Sequence, residues 1–170
     1  MTTAKKQRSA APSPQLTVAE IFDMLEPFAR EKFVTEGRVE VRHLVFTPTG
    51  ILYIANVDCD PDVHSAAVRE IAAERNAYAV ATMAEVRIIS SDKPREAFPQ
   101  SFKGHPQAVE AVTVMVEYRD DGHTVARADI TREVPGDESS RGTLGPFARA
   151  KPERMTIARL SHMLPGARDN

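Results

Sequence analysis

Tryptophan is absent and cysteine occurs once, at Cys59, in a chain of 170 residues. One thiol excludes a disulfide framework and a cysteine-rich zinc site, and leaves no reason to assign an oxidising compartment. Asp58 and Asp60 flank that thiol and raise its pKa, which makes it a poor nucleophile. No apolar run approaches the roughly 20 residues of a membrane helix. The opening MTTAKKQRSAAPSP carries cations without the apolar segment of a secretory signal. The expectation is a soluble cytoplasmic chain with no membrane partner. Neither G-x-G-x-x-G nor a Walker A sequence is present, which argues against dinucleotide and P-loop phosphate binding, and no cofactor is expected. Five histidines stand at 43, 64, 105, 123 and 162, with no His-x-His or His-Glu-x-x-His spacing, so a zinc enzyme is not expected.

What is present is ordinary for a globular domain: 42% hydrophobic and 27% charged residues. The formal charge of −2 conceals an uneven distribution. Residues 1–15 hold Lys5, Lys6 and Arg8 with no acid, residues 16–133 hold 13 basic and 20 acidic side chains, and residues 134–170 hold 6 basic and 4 acidic. A partner therefore meets an acidic body with basic ends. Cations in the tails are barely interleaved with aromatics, so stacking on nucleic acid is poorly supplied, and nucleic-acid binding through the basic tails is a secondary alternative.

Residues 1–15 lack apolar periodicity and read as a disordered basic arm. Order begins at Thr17, which forms a capping-box pattern with Glu20, with Leu16 and Ile21 at the staple positions. Val18, Ile21, Phe22, Leu25 and Phe28 follow at helical spacing. Pro27 is expected to kink or interrupt this helix, and Gly37 to cap it. Strands are expected over 38–46 and 51–57, joined by the turn Thr47-Pro48-Thr49-Gly50. Asp60-Pro61-Asp62 opens a second helix with an apolar stripe of Val63, Ala67 and Ile71 and a close at Asn76. Residues 77–89 read as a central strand whose Ala79, Ala81 and Met83 leave room for a helix. Residues 90–107, with three prolines, read as a long loop, a kind of segment that is often functional. Strands over 108–118 and 124–132 meet through Asp121-Gly122, with Val112, Val114 and Val116 on one face. Residues 134–170 form an extension in which 141–145 reads as flexible linker and 152–164 as a short helix with Ile157, Leu160 and Leu164 on one face.

The densest set of hard ligands is Asn56-x-Asp58-x-Asp60-x-Asp62 with His64, a candidate Mg²⁺ or Ca²⁺ site. The EF-hand pattern fails there, because Val63 and Arg69 stand where Gly and Glu are required. Helix capping already accounts for Asp60 and Asp62, and His64 is expected to be exposed. Glu85, on an apolar strand, is a candidate acid or base, set against pairing with Arg87 in solvent. His105 precedes Pro106 and is expected to be solvated.

Glu85, His105-Pro106, Glu110, the apolar alternation to Glu117, and Arg119-Asp120-Asp121-Gly122 together resemble a family of small bacterial and phage α+β proteins with no assigned activity. The resemblance covers residues 84–122 and implies a bacterial or phage origin. It marks Glu85 and His105 as candidate catalytic residues without giving them roles.

The element order α-β-β-α-β-β-β resembles profilin-like and roadblock-type domains. The expectation is an α+β domain over 16–133, with an antiparallel five-stranded sheet flanked by two helices. Functionally, the sequence predicts a non-catalytic protein-interaction or assembly module that self-associates. The first alternative is a small metal-dependent hydrolase built on Asp58, Asp60 and Asp62.

Overall fold

A computed structural model describes residues 14–55, 60–89, 102, 105–119, 122–137 and 139–150. The described chain is α+β: helix α1 (Val18–Glu36), strands β1 (Arg42–Thr47) and β2 (Gly50–Ala55), helix α2 (Pro61–Glu74), then β3 (Ala79–Ile88), β4 (Val109–Tyr118), β5 (Gly122–Arg132), β6 (Gly142–Leu144) and β7 (Ala148–Ala150). Among the described residues, no helix is long and apolar enough to cross a membrane. Residues 1–13 of the N-terminal arm and residues 152–164 lie outside the described residues, as does most of 90–107.

Local chemistry starts both helices where expected, whereas the strand expected from 38 begins at Arg42. The Thr17 hydroxyl accepts from the Glu20 amide at 3.3 Å while Glu20 Oε2 accepts from the Thr17 amide at 2.7 Å, completing the capping box. Pro27 does not interrupt α1, which is one helix of 19 residues. The proline lies on the exposed face, where the carbonyl left without an intrahelical donor can turn to water. Gly37 ends the helix at φ +74° and its amide donates to the Phe33 carbonyl at 2.9 Å. Asp60 caps α2, with Oδ1 accepting from the amides of Asp62 and Val63. Asn76, at φ +50°, follows its C-cap.

All strands pair antiparallel in the order β2-β1-β3-β4-β5-β6, with β7 also on β5. The sheet thus has seven strands rather than five. Residues 142–144, read as linker from their glycines, form β6 instead, pairing Ile130↔Leu144 and Arg132↔Gly142. Glycine fits closely there: a Cβ on Gly142 would sit 3.0 Å from Phe33 Cζ and 3.1 Å from Ile130 Cγ2, so those side chains would have to give by a few tenths of an ångström.

The main core lies between α1 and one sheet face. Ile21, Phe22, Leu25, Ala29 and Phe33 pack on Leu44, Phe46, Ala79, Ala81, Met83, Val112, Val114, Val116 and Ala126. The opposite face carries a smaller cluster of Val45, Val80, Val68, Ala72 and Ala77 under α2. Here the expected stripe is rotated by one residue. Val63 and Ala67 are exposed, and His64, Val68 and Ala72 are buried. Both stripes are weakly apolar, so the fit of Val68 and Ala72 against Val45 and Val80 decides the helix's rotation.

Gly37→Ala isolates the cost of the left-handed cap, because a Cβ there meets nothing within 4 Å. A loss of about 1 kcal/mol is expected in denaturant unfolding.

Candidate functional site

The candidate residues fall at three places. The first is the end of the sheet beyond α1, where Glu85 and Arg87 of β3, Glu110 of β4 and Arg132 of β5 meet. Strand alternation puts Glu85 and Arg87 on one face, and the register sets Glu110 opposite Arg87. Arg132, whose side chain is only 6% exposed, lies between the carboxylates. Its Nη2 is 2.7 Å from Glu85 Oε1 and its Nε 2.8 Å from Glu110 Oε2. Nη1 donates to the Ser140 carbonyl at 3.3 Å, and the guanidinium lies 5.7 Å from the centre of the Phe33 ring. Arg87 reaches Glu110 at 3.8 Å. Glu85 Oε2 also accepts from the Val39 amide at 3.4 Å.

Glu85 therefore pairs with Arg132, 47 residues away, and not with Arg87. Its oxygens face donors that fasten three strands, an arrangement suited to structure more than to proton transfer. His105 lines a cleft of about 590 Å³ with Arg87, Glu110 and Arg132, and Glu85 lines a neighbouring one of about 480 Å³ that shares those three residues. His105 Nδ1 accepts from the Gln107 amide at 3.3 Å, a local turn contact. The two clefts keep Glu85 and His105 on separate linings.

The second place is beneath α2. His64 is buried, at 7% exposure, which corrects the expectation that it faces solvent. The rotation of α2 that exposes Val63 turns His64 inward, and its ring stacks on His43 of β1 with centroids 5.1 Å apart. His43 Nδ1 shares a 2.9 Å hydrogen bond with Thr82 Oγ1, and His64 Nε2 is buried without a hydrogen-bond partner. Burial, and then the electrostatic influence of the neighbouring His64, push the His43 pKa down from 6.5 to about 4. The residues proposed for a cation site do not converge among the described residues. Asp60 Oδ1 is occupied by α2 amides, Asp62 lies exposed in the first turn, His64 points into the core, and Asp58 lies outside the described residues. No group of three His, Cys, Asp or Glu side chains able to hold a metal forms among the described residues.

The third place is β2, which occupies one end of the sheet with no described strand on its outer side. Gly-Ile-Leu-Tyr-Ile-Ala carries no charge. Ile51 is 45% exposed, Leu52 37% and Tyr53 50%. Edge strands are ordinarily protected by charge, proline or a bulge, and β2 has none of these in its six residues. The apolar run was readable from the sequence, but its place at the edge follows only from the sheet order.

The tails' charge also has a described partner within the chain. Arg149 of β7 donates to Glu26 and Asp23 of α1, both at 2.6 Å, and these carboxylates, Glu26 first, raise its pKa further. Arg30 of α1 reaches back to the carbonyls of Leu144 at 2.9 Å and Gly145 at 2.6 Å. These contacts bind the β6–β7 segment to the first helix.

Arg132→Leu leaves Glu85 and Glu110 facing each other without their shared cation, and a loss of about 2–3 kcal/mol is expected in urea unfolding. Adding Glu85→Gln should recover part of it. For His43, the unfolded chain takes up a proton near 6.5 and the folded chain near 4. Its contribution is therefore complete above pH 6.5 and disappears as pH falls toward 4, by at most about 3 kcal/mol. Unfolding midpoints across that window should show the decline, and His43→Asn should flatten it. Comparison with protein-family models, curated proteins and solved structures finds no match to this chain.

Proposed function

We propose that this chain is a non-catalytic protein-interaction or assembly module that self-associates. The observation that carries the reading is the β2 edge, an uncharged strand with Ile51 and Tyr53 exposed on one face and Leu52 on the other. An open edge of this kind offers main-chain hydrogen bonds to a further strand and apolar side chains to flank it. The non-catalytic part is supported by the partners of the residues best suited to chemistry. Glu85 is held by Arg132, Asp60 by the α2 amides, and His43 by Thr82. Arg149, a cation of the basic C-terminal extension, is engaged by Glu26 and Asp23 of its own chain, so the reading rests on apolar strand addition and not on tail charge.

Size-exclusion chromatography with light scattering on the full chain, from about 5 to 200 µM, tests the reading. The expected result is a species of twice the 18.7 kDa chain mass that dissociates on dilution. A monomer at every concentration would falsify it.

A further inference from the structure

We infer that the partner at the β2 edge is a second copy of this chain, paired antiparallel about a two-fold axis through Tyr53. The inference rests on the interaction reading above and specifies its surface and register.

Main-chain directions select that register. The Phe46 carbonyl accepts from the Tyr78 amide at 2.9 Å, so the polar groups of Phe46 point away from β2. Phe46 pairs with Ile51. In an antiparallel ladder the two residues of such a pair both turn their polar groups outward. Ile51 therefore presents its N–H and C=O to the free edge, and alternation gives Tyr53 and Ala55 the same direction. Gly50, Leu52 and Ile54 turn theirs toward β1.

A two-fold axis perpendicular to the sheet sets residues of the same face opposite each other, so it must pass through a residue. An axis through Leu52 would pair Ile51 with Tyr53 of the second copy but set Ala55 against Thr49, within the β1–β2 turn, and so bond fewer of the outward groups. An axis through Ile51 would set Tyr53 against Thr49, within the β1–β2 turn. An axis through Tyr53 sets Tyr53 against its own copy and Ile51 against Ala55 of the second copy, so every outward group within the strand is bonded. That is about six hydrogen bonds, two for each facing pair. Leu52 then lies opposite Ile54 of the second copy, so the side chains meeting across the junction are aliphatic or aromatic. Charge permits the same occupant. Gly50–Ala55 contains no ionisable side chain except the Tyr53 phenol, so the strand meets itself without like-charge repulsion at neutral pH. Six residues from each copy make a small interface, at the low end of specific assemblies, and the dimer is therefore expected to be micromolar and concentration-dependent.

The test uses the full chain with Cys59→Ser. Facing Cα atoms in a hydrogen-bonded antiparallel pair are about 5.5 Å apart, within disulfide reach. Tyr53→Cys should give a covalent dimer on mild oxidation, whereas Val34→Cys, at an exposed site on α1, should not. Separately, Tyr53→Lys should raise the dissociation constant at least tenfold by light scattering, with unchanged far-ultraviolet circular dichroism. A dimer that persists with Tyr53→Lys, or equal cross-linking from both cysteine positions, overturns the inference and leaves the interaction reading standing. A wild-type chain that stays monomeric overturns both, and open-ended aggregates in place of a dimer overturn the two-fold register.

Discussion

Burial of one face of α1 against the middle of the sheet is the interaction on which the rest depends. It works because β3 and β5 offer small residues under the helix: Ala79, Ala81 and Ala126 are fully buried there. Phe22 and Phe33 from the helix and Phe46 from β1 fill the space those alanines leave. Small residues facing large ones give dense packing without forcing side chains off their rotamers. Once α1 lies over β4, with β5 and β6 beside it, the other face is left to α2, which packs on β1. Among the described residues, the sheet's outer strand, β2, is then left partly exposed on both faces.

Charged residues work at the margins of this core. Arg132 closes the end of the sheet by linking Glu85 of β3 to Glu110 of β4, and its flat cation lies against the Phe33 ring from α1. Arg30 and Arg149 cross the gap between α1 and the β6–β7 segment in opposite directions, one from helix to strand and one from strand to helix. An acidic helix face and a basic C-terminal segment are thereby used within one chain. The uncharged β2 edge, with no described strand on its outer side, is the surface on which the functional reading settles.

Much of the architecture was legible along the chain. The capping box at Thr17, the turn at Pro48, the Asp60-Pro61 helix start and the small-residue face of β3 are local signals, and each acts within a few residues. The misreadings share a different origin. Gly142 looks like linker because the side chain packed closely against it, Phe33, lies more than a hundred residues earlier. Glu85 looks like a partner of Arg87 because Arg132 is remote. His64 looks exposed because two weak apolar stripes on α2 differ by a single residue, and the sheet beneath selects between them. Pro27 looks like a break because the sequence does not say that it faces water.

Periodicity, caps and turns thus determined which segments became helices and strands, since hydrogen bonding and side-chain alternation act over short distances. Tertiary structure alone decided which strand became the open edge, which carboxylates shared an arginine and which histidines were taken out of water. Those outcomes depend on surfaces brought together from distant parts of the chain, and no spacing within one segment encodes them.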